Sequence, residues 1–163
     1  MNIFVLDESP KKSAQMLCDC HIRKMCIETA QILSAVMLRR GMKLHPDMPA
    51  PQNLNHPVIV AVDSSPDALE WVLHLNYELH VEYRHRFQKS HAYAGIVMEY
   101  IDMLWNAGDG HCSDLAKCCG DLDVRDLDVV SAYRKYYIEV KRPQLIEKNL
   151  WIFTNREDWT NAD

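Results

Sequence analysis

No segment of the chain has the roughly eighteen uninterrupted apolar residues of a membrane helix, so no membrane-spanning helix is expected. The opening "MNIFVLDESP" is too short and too acidic for a secretory signal, and a cytoplasmic protein is expected. A basic excess is also missing. Lys and Arg number 18 against 23 Asp and Glu, the formal net charge is -5 and the pI is near 5.9. That balance argues against a general nucleic-acid coat and leaves room only for a localised basic cleft. Internal repeats and low-complexity runs are absent as well. What is plentiful is apolar: 48% of the 163 residues are hydrophobic, enough for a single domain (1–163) with a substantial core. The six cysteines lie on or beside the first long helical stretch and in "HCSDLAKCC". Without an export signal, reduced thiols are expected.

The stretch "LCDCHIRKMCIETAQILSAV", residues 17 to 36, contains neither Gly nor Pro and leads into "LRRG". Two arginines followed by Gly41 mark a helix C-terminus, with cations at the negative end of the dipole and a glycine for the left-handed turn. At about 100° per residue, His21, Lys24, Glu28 and Gln31 fall within roughly 80° of one another. They form a polar stripe. Ile22, Cys26, Ala30, Leu33 and Met37 form a second, apolar stripe, and Met25, Ile32 and Val36 extend it around much of the circumference. A helix apolar nearly all round is a central one. Burying an unpaired carboxylate is costly, so Glu28 is expected in a polar pocket or cleft. The alternative is that Lys24 and Glu28 form an i,i+4 pair on the one face that meets water.

The arm 1–8 carries "IFVL", a short strand or an extended segment. Ser9 and Pro10 make a helix start, and Ser65 and Pro66 repeat the device ahead of a second long helix with Leu69, Val72, Leu75, Leu79, Tyr83 and Phe87 on one face. Between the two long helices, 42–57 carries four prolines and reads as a loop. A third helix is expected over 91–105 and a long acidic loop over 106–128. "DVVSAYRKYYIEVKRP" returns to helix, with Val130, Tyr133, Tyr137 and Val140 on one face and a stop at Pro143. Residues 144–163 are expected to form a tail. The fold class is all-α, three to five helices with long loops.

Several groups could carry chemistry. His111, Cys112, Cys118 and Cys119, near Asp109 and Asp114, are the right ligand types for zinc, but their spacing is irregular and thiols tucked under a loop are the default. Glu82 and Arg86 form an i,i+4 pair near the apolar seam that could line a cleft. Asn55 and His56, next to Pro57, could present a polar pair or simply cap a helix. "AYRKYYIEVKR" interleaves rings with cations, which suits nucleic acid and equally suits a helix with tyrosines inward and charges outward.

Taken in order, these pieces resemble the pyrimidine-dimer DNA glycosylase family, also called endonuclease V, a small all-α fold of phages and bacteria. Leu17, Asp19 and His21 match its helix-start positions, and Glu28, seven residues after the histidine, matches its catalytic glutamate. "NHP" at 55–57 is similar to an Asn/His-His-Pro element of the bacterial branch, and Lys135, Tyr136 and Tyr137 resemble its Lys-Tyr-Tyr. The resemblance implies N-glycosylase chemistry on a damaged pyrimidine in DNA, with abasic-site lyase activity. An unprotonated amine attacks C1′ while a carboxylate stabilises the developing charge and moves protons. The family's amine belongs to a small residue exposed by loss of the initiator methionine. Here residue 2 is Asn2 and the arm is about five residues longer, so Met1 or Asn2 would supply the amine. Lys24, if burial lowers its pKa, is an alternative nucleophile.

A third alternative is hydrolysis by a water that Glu28 activates, on DNA or a free nucleotide, and a fourth is binding of a nucleotide or a protein without catalysis. The expected catalytic group is therefore Glu28, Lys24, His21 and Asn2. The expected binding group is Gln31, His56, Glu82, Arg86, Arg134, Lys135, Tyr136 and Tyr137. The partner is DNA or a nucleotide, and the mechanism requires neither cofactor nor metal.

Overall fold

Serine-proline pairs start two of the helices as the sequence suggests. In the computed structural model, which describes residues 2–94, 104 and 109–161, Ser9 caps α1 (Pro10–Gln15) and Ser65 caps α4 (Pro66–Phe87). Each serine hydroxyl accepts from the N–H three residues on, with Pro in the first turn, an arrangement worth about 1 kcal/mol per helix. Between them lie α2 (Asp19–Arg39) and α3 (Pro57–Ser64). The expected all-α class is what the structure has: every regular element among the described residues is helical.

Helix α2 ends where "RRG" says it should. Gly41 takes φ +72°, its N–H donates to Leu38 O, and the Met42 N–H donates to Met37 O, the paired bonds of a Schellman turn. Arg39 and Arg40 then reach Asp63 at 2.7 and 3.0 Å and tie this end to α3.

Helices α2 and α4 pack together at the centre, with α1 and α3 against α4. Inside the α2–α4 contact the Asn76 amide donates to Thr29 Oγ1 at 2.7 Å, and Thr29 in turn donates to Met25 O. The Ile3–Leu6 segment forms no helix and pairs with no strand among the described residues, and its four side chains are buried in the core. Ser13 fixes it by donating to Phe4 O and accepting from the Leu6 N–H.

Toward the C-terminus the structure differs from expectation in three ways. Helix α5 (Val129–Tyr136) turns a wider face inward: Tyr133 and the following Tyr137 are buried as expected, Val130 and Val140 are half-buried against the core, and Val129, Ala132 and Tyr136 are buried as well. Pro143 does not stop the helical path. A π-helical stretch, Tyr137–Lys141, takes up an extra residue per turn, and α6 (Arg142–Glu147) restarts with the proline in its first turn, where a missing N–H costs nothing. The segment after it is no loose tail. Trp159 Nε1 donates to Met16 O at 2.7 Å, the Asp19 N–H donates to Ile152 O, and Thr154 bonds the Asp19 carboxylate.

The helix expected over 91–105 falls mostly outside the described residues. From 109 to 128 the acidic loop is organised by Lys117, whose ammonium donates to the carbonyls of Val124, Arg125 and Leu127. Among the described residues no helix is long and apolar enough to cross a membrane.

Candidate active site

The polar stripe of α2 is the surface on which the N-terminal arm lies. Phe4 packs its ring on His21 at 4.7 Å between centroids, and two residues earlier the Asn2 N–H donates to Glu28 Oε2 at 2.6 Å. His21 and Glu28 are two helical turns apart, about 10 Å along the axis, so the arm runs antiparallel to the helix along the stripe.

Three hydrogen bonds hold Asn2. Besides the backbone bond to Glu28, its Nδ2 donates to Cys118 O at 3.2 Å and its Oδ1 accepts from the Ile3 N–H at 2.8 Å. The longer arm therefore still brings residue 2 to the glutamate. The acidic loop forms part of the same corner through Cys118, which is held in turn by Tyr133: the hydroxyl accepts from the Cys118 N–H and donates to Ala116 O.

Glu28 is buried, with 9% of its side chain exposed, and its other oxygen lies 3.1 Å from Lys24 Nζ. The sequence offered a polar pocket or a surface pair, and the structure combines them: the carboxylate is covered while the lysine, 63% exposed, stands at the rim. The burial on which Lys24 as nucleophile depends is absent. His56 is the N-cap of α3, with Nδ1 accepting from the Val58 N–H at 3.3 Å. Burial keeps its imidazole below the ordinary pKa, while the Glu28 carboxylate, near enough to act electrostatically, works the other way. Gln31, one turn past Glu28, donates to Ala50 O and pins the proline-rich loop.

At the other end of the stripe, His21 Nδ1 lies 2.8 Å from the Tyr137 hydroxyl, which also accepts from the Cys18 N–H. The Cys20 thiol at 3.4 Å and the His21 ring together hold the Cys18 thiol well below the usual thiol range against its burial. Burial pushes Tyr137 far up, so it remains a hydroxyl.

The remaining expected site residues lie apart from Glu28. Arg86 donates to Glu82, Asp19, Leu17 O and Gln15 O, and Arg156 clasps both oxygens of Glu82. The cleft expected beside this pair is filled by the C-terminal segment. Arg134 spans Leu6 O and Asp7, bracing the arm. Tyr136 stacks with Phe4 and lies under Lys141 Nζ at 5.0 Å, while Tyr137 is fully buried. Of this aromatic and basic segment the tyrosines point inward, and Lys135 is half-buried. His111 and Cys112 line a surface cavity of about 390 Å³ with Glu8 and Asp128. Among the described residues, the loop cysteines form no metal-capable cluster with His111.

Phe4 and the Cys118 carbonyl are the contributors that sequence reasoning missed. "IFVL" was the available signal for the first, because four apolar residues in a row must find a core. A carbonyl 116 positions from its donor leaves none.

A family model described as pyrimidine dimer DNA glycosylase matches residues 1–94, more than half of the chain. No curated protein and no solved structure matches it. The matched span contains the arm, α1, the whole polar stripe, His56 and α4.

Proposed function

The chain belongs to the pyrimidine dimer DNA glycosylase family, and from that premise we propose that it excises a dimerised pyrimidine from DNA through an imine formed by the Asn2 nitrogen beside Glu28. The observation that carries this reading is the 2.6 Å contact between that nitrogen and the glutamate. Once residue 1 is removed, the same atom is a primary amine. A chain-terminal amine titrates near 8, about two units below an ordinary lysine amine, so it has a useful neutral fraction near neutral pH. Lys24, exposed and paired with a carboxylate, is better suited to meeting a phosphate than to attack.

The chemistry balances with groups already in place. The amine lone pair attacks C1′ while the C1′–N1 bond breaks, and its electrons pass to the base, which takes up an amine proton and stays joined to its dimer partner. Opening of the sugar ring sends the C1′–O4′ electrons and a proton to O4′, and loss of the proton on nitrogen gives the imine. Removal of a C2′ proton then expels the 3′ phosphate. Glu28 stabilises positive charge at C1′ and is within reach of the amine proton, combining electrostatic and general acid/base roles. Asn2 Nδ2 on Cys118 O and Phe4 on His21 keep the amine from swinging away, so orientation precedes substrate.

The test compares chains that begin at Asn2 with chains that retain Met1, each given duplex DNA carrying a pyrimidine dimer and then borohydride. The expected result is a covalent adduct that maps to Asn2 and forms only with the first. An adduct mapping to another residue, or glycosidic cleavage with no adduct from either form, would replace the imine with a lysine or a Glu28-activated water.

A further inference from the structure

Behind α2, on the face away from the arm, Cys26, His80 and His91 bring one thiol and two imidazoles to a single point. They come from α2, α4 and the segment after α4, and their ligand atoms all lie within 4.8 Å of one another. Cys26 is fully buried, and both ring nitrogens of His80 are buried with no hydrogen-bond partner among the described residues. An imidazole cut off from water with neither nitrogen satisfied is costly, and native structures seldom contain one without a reason. His91 is held by ring packing on Tyr83 and by one long contact, Nδ1 accepting from the Tyr93 N–H at 3.3 Å, so its ring can turn either nitrogen inward.

We propose that Cys26, His80 and His91 bind a zinc ion. The donor set is the argument for that metal. One thiolate with two neutral imidazoles is a common borderline-soft combination for tetrahedral zinc, and the atoms are close to the mutual spacings such a site requires. Three protein ligands leave a fourth position for a water, and a cavity of about 250 Å³ borders one side of His80. Burial, with His91 nearby, lowers His80 to about 4 and so keeps it neutral, the form that ligates. Burial also pushes the Cys26 thiol up to about 12, so zinc binding displaces its proton to solvent as the Zn–S bond forms.

Cys26 precedes Glu28 by two positions, about 200° around the helix. The zinc therefore does not touch DNA. It fixes α2 from behind to α4 and to the chain that follows, and so sets the position of the helix that carries the glutamate. The other cluster of this kind among the described residues, Cys18, Cys20 and His21, differs in that its donors already bond one another and Tyr137.

The experiment is titration of the chelator-stripped full chain with Zn²⁺, and separately with Co²⁺, reading metal content, thiolate-to-cobalt absorption and Tm. One equivalent of metal, a thiolate band and a raised Tm are expected in the wild type. His91→Ala, at a half-exposed position the fold can tolerate, should weaken affinity by about a hundredfold or more, beyond the ~10–100-fold cost of disturbing an outer-shell partner. Cys26→Ala should abolish the band, while Cys18→Ser should leave it. Failure of the folded wild type to bind zinc, a band unaffected by His91→Ala, or a band lost only in Cys18→Ser would overturn the assignment.

Discussion

Glu28 and Glu82 are two buried carboxylates on the two central helices, each with a cation four residues away, and from sequence they look alike. Their partners separate them. Arg86 has a fully buried side chain and donates to two carboxylates and two carbonyls, while Arg156 covers both oxygens of Glu82. Lys24 has 63% of its side chain in water, and the second partner of Glu28 is the nitrogen of Asn2. A buried charge with every neighbour committed is structural, whereas one whose neighbours are an exposed cation and an arm residue can exchange partners with a substrate. Burial alone does not distinguish them.

The largest effect should come from breaking the closed cluster. Arg86→Ala leaves Glu82 and Asp19 short of their buried partner and should cost about 3–5 kcal/mol, measured by urea unfolding at neutral pH. Glycosylase activity per folded molecule should stay within about twofold. Loss of activity without loss of stability would instead put this cluster in the active site. The pH profile sharpens the point. Burial pushes the Glu82 carboxyl up, but the hydrogen bonds of Arg156 and Arg86 outweigh it and hold it below its ordinary value. Its contribution is therefore fully present above the unfolded carboxyl value of about 4.3 and lost as pH falls through the folded one. The stability gap between wild type and Glu82→Gln should narrow below about pH 4.

Next in size is Glu28→Gln, which keeps the shape and one acceptor oxygen for the Asn2 N–H but removes the charge and the acceptor facing Lys24. The rate of glycosidic cleavage should fall by about a hundred- to a thousandfold, the usual cost of losing one transition-state electrostatic partner, with little change in DNA affinity or Tm. A fall in affinity at unchanged rate would recast the corner as a binding pocket.

Much of this contrast was legible in the sequence, and the unread part has a physical cause. The caps Ser9 and Ser65, the left-handed Gly41 and the stripe His21, Lys24, Glu28 and Gln31 are local signals, spaced within a turn or two. They were readable because helix geometry fixes them. The roles of Glu82 and Arg86 were not readable, since what closes over Glu82 is Arg156 from 74 positions further on. The same holds for Pro143. The stop it signals is real for a regular α-helix, but a π turn that keeps Tyr137 in the core passes it by. Tyr136 and Tyr137 likewise looked as fit for stacking on bases as for packing, and only the position of Phe4 and of the Cys18–His21 cluster turns them inward.

The smallest expected effect, and the sharpest test of which amine acts, is Lys24→Ala. With 63% of the Lys24 side chain in water and the Glu28 carboxylate still bonded to the Asn2 N–H, the pair contributes little and Tm should scarcely move. If Lys24 meets phosphate, removing it weakens DNA binding and flattens its salt dependence by about one phosphate contact. The borohydride adduct of the Asn2-initiated chain should form in normal yield at saturating DNA if the proposed nucleophile is right, because the Asn2 nitrogen is still held by Glu28, its side chain by Cys118 and the arm by the packing of Phe4. Disappearance of the adduct would mean instead that the exposed lysine is recruited on binding. The open cluster would then owe its chemistry to Lys24, and the arm would serve only as its cover.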